Sequence, residues 1–141
     1  MKELVNIIIP AVELNDELLK CLREINKINY SNFFATIILD RDLKNKLPKF
    51  RYKINKLIVG KINMSKKRNI AVRKFKSKYI AFIDSDAYPN KNWLKLAVKY
   101  LKNKICNVVG GPGIPFPNQN YNEKICYYSK RPYFVTGYLN F

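Results

Sequence analysis

Tyr79 to Pro89 reads YIAFIDSDAYP, an apolar run that breaks off into two carboxylates, Asp84 and Asp86, ahead of a proline. The run Tyr79–Ile83 predicts a short β-strand, and Asp-Ser-Asp followed by Pro89 predicts the turn at its carboxyl end. Downstream, Asn90 or Asn92 is placed to open a helix to about Lys102, because Leu94, Ala97, Val98 and Leu101 recur at i, i+3, i+4 and i+7 behind Trp93. Upstream, Ser65 is placed to cap a helix from about Lys66 to Lys76 with a narrow apolar side at Ala71, Val72 and Phe75. Helix, strand, acidic turn and helix in this order form the repeating unit of an α/β sheet.

The rest of the chain extends the pattern. Val5–Pro10 (VNIIIP) and Phe33–Leu39 (FFATIIL) are nearly continuous apolar runs, the pattern of strands buried on both faces. Between them a helix is expected from a cap at Asn15 or Asp16 to about Ile28, with Leu18, Leu22 and Ile25 on its inner side. Lys56–Val59 reads as a third strand, Cys106–Val109 as a fifth, and Tyr121–Lys130 as a possible last helix. The alternation calls for a doubly wound, mostly parallel sheet with helices on both faces, in a single domain over residues 1–141. Ligands of such sheets bind beyond the carboxyl ends of the strands where strand order reverses. Those ends carry Pro10-Ala11, Asp40, Asp84-Ser85-Asp86 and Gly110-Gly111.

Composition narrows the chemistry. A chain of 141 residues, 48% of them hydrophobic, is long enough to fold alone. It has no histidine, which excludes a histidine base. Its three cysteines, Cys21, Cys106 and Cys126, form no C-x-x-C and support neither a zinc site nor a disulfide frame. The longest uncharged stretch, Ile105–Asn122, is broken by glycines and prolines and cannot span a membrane as a helix, and the amino terminus does not read as a signal peptide, so a cytoplasmic protein is expected. The net charge of +17 sits in one region: residues 1–42 hold 5 basic and 7 acidic side chains, residues 43–104 hold 19 and 2, and residues 105–141 hold 3 and 1. Such a field attracts a phosphorylated ligand, an anionic membrane surface or nucleic acid. The two acids within it are Asp84 and Asp86.

Paired carboxylates at a strand end suit Mg²⁺ or Mn²⁺, which take oxygen ligands from one or two carboxylates and complete their shell with phosphates and water. A lone D-x-D is weak evidence, since acids also favour turns and helix caps. The strand end, the basic surroundings and a second strand-end acid at Asp40 together favour a metal-bridged diphosphate site. Ser65-Lys66-Lys67-Arg68-Asn69 lies at an expected helix start, where free N–H groups attract an anion. Arg68 and Asn69 are the candidate ligands there, while Lys66 and Lys67 are expected to be exposed charges.

Read in order, these pieces resemble family-two glycosyltransferases of the GT-A fold. VNIIIPAVELNDELLKCLREI is similar to the family's opening strand, its I-P ending and its first helix, and SKKRNIAVRKFKSKYIAFIDSDAYPNKNWL is similar to its S-x-A-R-N-x-G stretch, apolar strand, D-x-D, proline and W-L. The likeness covers residues 4–113. It implies a nucleotide-diphosphate sugar donor, usually a UDP-sugar, a divalent cation, and transfer with inversion to an acceptor hydroxyl on a glycan or lipid-linked molecule. On that resemblance Asp86 would hold the metal, Asp84 with Ser85 beside it would contact the ribose or the metal shell, and Asp40 would contact the uracil. Arg68 with Asn69 would approach the nucleotide, and Pro10 with Ala11 would line the base pocket.

The departures carry their own expectations. Asp40-Arg41-Asp42-Leu43 stands where the family often has D-D-G-S, so the base contact falls to Asp40 or Asp42, and Ala71 stands where glycine is common. The family's catalytic base is an acid, often in an E-D pair, beyond the glycine-proline segment; after Gly111 this chain has only Glu123. The catalytic base is thus unassigned, with Glu123 a weak candidate, and the acceptor half is expected to be missing after about residue 115. The chain alone is expected to bind donor without transferring sugar, as a nucleotide-sugar-binding fragment. A sugar-nucleotide pyrophosphorylase would need a glycine-rich phosphate loop after the first strand, and Pro10-Ala11-Val12-Glu13 is none. A basic nucleic-acid-binding protein is the other class, for which no recognised motif is present, so no specific nucleic acid partner is expected.

Overall fold

The computed structural model describes residues 2–42 and 47–111. Strands β1 (Val5–Pro10), β2 (Phe33–Leu39), β3 (Lys53–Ile58) and β4 (Tyr79–Phe82) form one parallel sheet in the order β3-β2-β1-β4. Helices α1 (Asp16–Ile25), α2 (Met64–Lys74) and α3 (Trp93–Lys102) alternate with them. The chain divides into two units, Met1–Val98 and Lys99–Phe141. The whole sheet lies in the first.

From β1 the order steps outward to β2 and β3, then returns across the sheet to β4 on the other side of β1. Right-handed crossovers in opposite directions put their helices on opposite faces. Burial follows this rule. Val5, Ile7, Ile9, Ala35 and Ile37 pack with Leu18, Cys21, Leu22 and Ile25 of α1 and with Leu94 and Val98 of α3. Ile8, Ile38 and Leu57 pack on the other face with Ala71 of α2. The reversal of strand order falls between β1 and β4.

Local chemistry explains each boundary. Asn15 caps α1 by accepting from Leu18 N at 2.9 Å, Asp16 and Glu17 complement the first-turn dipole, and Leu18, Cys21, Leu22 and Ile25 give the buried stripe at i, i+3, i+4 and i+7. The helix stops at Ile25, three residues short of the expected end, although Ile28 is still buried in the turn that follows. β3 begins at Lys53 instead of Lys56, because an edge strand is set by its ladder to β2 and not by an apolar run; only Leu57 of its six residues is buried. α2 is capped by Asn63, which accepts from Lys66 N at 2.8 Å, two residues ahead of the expected Ser65. Gly60, with φ of 73°, turns the chain between β3 and this cap in a conformation that disfavours any side chain.

Two polar side chains inside the sheet are satisfied. Asn6 is fully buried on β1; its Oδ1 accepts from Thr36 at 2.8 Å and its Nδ2 donates to the carbonyl of Phe75 at the end of α2, at 3.3 Å. These bonds tie β1, β2 and α2 together where an apolar residue would leave the α2 end unpaired.

In the second unit the helix closes with Asn103 N bonding Lys99 O, and Lys104, at φ of 55°, turns the chain so that Ile105 N reaches Tyr100 O. The strand expected at Cys106–Val109 does not form: these residues pair with no strand among the described residues, and Val108 and Val109 are exposed. An apolar run becomes a strand only where a neighbour supplies backbone partners. The expected helix at Tyr121–Lys130, and Glu123 with it, lies outside the described residues. Among the described residues no helix is long and apolar enough to cross a membrane.

Candidate functional site

The switch point brings the carboxyl ends of β1 and β4 side by side, with that of β2 next to β1. Pro10 and Ala11 leave β1 buried, with Ala11 N held by Ile38 O at 2.9 Å. Asp40 leaves β2 with its own N–H donated to Val12 O at 2.8 Å, so the loop after β1 and the first residue after β2 are stitched together by backbone. After β4, Ile83 N still reaches Ile8 O at 3.3 Å, and Asp84 follows at once. Ala87 N closes the Asp84–Ala87 turn on Asp84 O at 3.1 Å.

Asp84 and Asp86 are exposed on this turn, with Ser85 half-buried between them. Arg68 Nη2 donates to Asp84 Oδ1 at 2.6 Å, a pair in which the carboxylate is 66% exposed. An ion pair that open to water is worth under about 1 kcal/mol, so a stronger ligand for either partner displaces it. Beneath the turn, Cys21 of α1 lies fully buried with its Sγ 3.8 Å from the Asp84 carbonyl oxygen. Burial first, then the charges of Asp86 and Asp84, push the Cys21 thiol up to about 12, so it is an unreactive packing group.

Asp40 differs from what its sequence position suggested. Its Oδ1 is shut off from water and is ion-paired with Lys67 Nζ, 2.6 Å away. Lys67, expected to be an exposed charge, is fully buried, and its ammonium also donates to the Ala11 carbonyl at 2.5 Å. Lysine is almost never fully buried unless paired, and the pairing partner sits 27 residues upstream, reached only through the sheet topology. Asp42 is held elsewhere, on Lys56 at 2.8 Å, which leaves Asp40 as the acid beside Ala11. Arg41 is occupied by Glu13.

With its cap at Asn63, α2 begins at Met64, and Arg68 and Asn69 fall in its second turn, so only their side chains are available to a ligand. Arg68 joins the acidic turn. Asn69 does not: it lines an open groove of about 460 Å³ with Val59, Ile62, Lys66, Ile70 and Arg73, apart from Pro10, Ala11, Asp40 and Asp84. Among the described residues no group of three or more acids or cysteines could hold a metal. Asp84 and Asp86 are the two carboxylates that the turn after β4 carries.

The profile of "Glycosyl transferase family 2" matches residues 6–139, and the chain belongs to that family. Its fold is similar to that of S. aureus TarS, residues 1–349, with a TM-score of 0.63 and 22% identity over 79% of this chain. The same protein in complex with UDP-GlcNAc, and in complex with UDP, matches at TM-score 0.60 and 22% identity, again over 79% of this chain. This chain spans 38% of the first of those structures. No curated protein matches the sequence.

Proposed function

We propose that the chain is the donor-binding part of an inverting glycosyltransferase that takes a UDP-sugar together with Mn²⁺ or Mg²⁺ and passes the sugar to a hydroxyl on a glycan or lipid-linked acceptor. The observation that carries this reading is the acidic turn Asp84-Ser85-Asp86 after β4 at the switch point, with Ala11 after the neighbouring β1 and Asp40 after β2 on the other side of β1. The complexes of TarS with UDP-GlcNAc and UDP support the choice of nucleotide.

In this reading Pro10, Ala11 and Asp40 form the wall for the base, and Asp84 and Ser85 lie toward the ribose and diphosphate. Asp86 and Asp84 are the residues that would hold the cation, which supplies charge stabilisation for the leaving diphosphate. Arg68, whose pair with Asp84 is open to water, would be the side chain placed to pair with a phosphate oxygen. Transfer also requires a base to deprotonate the acceptor. Asp40 is paired with Lys67, and the base is unassigned, Glu123 being the acid that follows Gly111 in this sequence.

Calorimetry on variants tests the assignment. With Mn²⁺ present, Asp86→Asn is expected to weaken UDP binding at least about tenfold and to abolish its dependence on the cation. Asp40→Asn, in protein that retains the wild-type far-UV spectrum, is expected to reduce preference for uracil while keeping the cation dependence. The opposite assignment of effects refutes these roles.

A further inference from the structure

Lys67 is a buried ammonium that the donor-site reading leaves without a role. Its side chain is fully enclosed, and its Nζ reaches two oxygens on different strand ends: the carbonyl of Ala11, at 2.5 Å, and Oδ1 of Asp40, at 2.6 Å. In the stretch Ser65-Lys66-Lys67-Arg68-Asn69-Ile70-Ala71, Lys67 stands at the alanine position of S-x-A-R-N-x-G. The ammonium is therefore a feature of this chain and not part of that pattern.

A charged group is costly to bury unless it is paired and its partners are fixed. Here the partners are the wall residue Ala11 and the carboxylate Asp40, which the backbone already joins through Asp40 N and Val12 O. One side chain from α2 thus locks both. A carboxylate free to rotate accepts from any donor within reach, whereas one whose Oδ1 is ion-paired with a buried, fixed ammonium cannot turn without separating the two charges.

We propose that Lys67 is a specificity-determining positioning residue: by holding Asp40 and Ala11 it fixes the direction in which the Asp40 carboxylate accepts, so that the site takes a base with a ring N–H donor, as in uracil, over one with a ring acceptor and an adjacent amine, as in cytosine. This rests on the reading of the chain as a UDP-sugar site. Lys67 acts through Asp40 and touches no ligand itself, so its removal changes the ratio of affinities for the two bases more than either affinity for a shared part such as the diphosphate.

The test is calorimetry of UDP and CDP, with Mn²⁺, on the full chain and on Lys67→Ala, Lys67→Gln and the double variant Asp40→Asn/Lys67→Ala, each checked for folding by circular dichroism. Alanine leaves room for water beside Asp40, and glutamine restores an N–H donor without charge. The UDP/CDP preference is expected to fall about tenfold in Lys67→Ala, to be partly kept in Lys67→Gln, and to fall no further in the double variant. A preference that is unchanged in the folded Lys67 variants, or an equal loss for UDP and CDP, overturns the inference while leaving the donor site standing. A wild-type chain that binds neither nucleotide at millimolar concentration overturns both.

Discussion

Cys21 links the apolar core to the acidic turn at the level of a single side chain. Its thiol, ordinarily near 9.0, is raised to about 12 by burial on α1 and by the carboxylates of Asp86 and Asp84. A group whose folded pKa is raised stabilises the fold fully below its unfolded value and loses that contribution as pH climbs toward the folded one. Tyr52, whose hydroxyl donates to Leu22 O at 2.9 Å, and Tyr30 are also raised, in both cases first by burial, and lose their contributions from about pH 10 upward. Stability measured by denaturant titration is expected to hold to about pH 9 and fall above it, and Cys21→Ala to flatten the fall between pH 9 and 10. An equal slope in both proteins contradicts the burial of the thiol. At this scale the sequence was least informative. Asp40, Asp84 and Asp86 were legible as acids at strand ends, but the enclosure of Lys67 depends on where Asp40 and Ala11 come to lie, which no local pattern encodes.

Among elements, legibility followed burial. β1 and β2 have the bounds expected of them, because a run of β-branched and aromatic residues closed by Pro10 or by Asp40 leaves one way to satisfy the core. β3 is an edge strand of mixed polarity, and its ladder to β2, invisible in the sequence, sets its start. Cys106–Val109 shows the converse, an apolar run without a partner strand among the described residues. For α2, both Asn63 and Ser65 are good caps, and the left-handed turn at Gly60 delivers the chain to the first of them. Asn63→Ala is accordingly expected to cost about 1 kcal/mol in chemical denaturation, and Ser65→Ala a few tenths at most. A larger loss from Ser65→Ala would restore the later cap and move Arg68 back into the first turn.

At the scale of the whole molecule, the parallel order β3-β2-β1-β4 puts the switch point between β1 and β4, and the proposed donor site lies at that point, where Asp84 and Asp86 follow β4. The basic excess of residues 43–104, 19 basic side chains against 2 acidic, surrounds Asp84 and Asp86 in sequence. We propose that it also draws the protein to anionic membrane surfaces, where lipid-linked acceptors reside. Co-sedimentation with phosphatidylserine vesicles is expected at low salt and to be lost by about 0.5 M, since a diffuse field is screened within a few ångströms there. Sequence-specific nucleic acid binding that survives high salt would contradict this account of the charge.

In the proposed donor site, protein carboxylates and a nucleotide diphosphate would share one divalent cation. Titrating UDP into the purified 141-residue chain by calorimetry, once with Mn²⁺ and once with EDTA, tests it most directly. Asp84 and Asp86 repel a diphosphate unless a cation lies between them. Saturable binding is expected with Mn²⁺, and at least about tenfold weaker binding with EDTA. Equal affinity in the two solutions, or no binding at millimolar UDP in either, would contradict it.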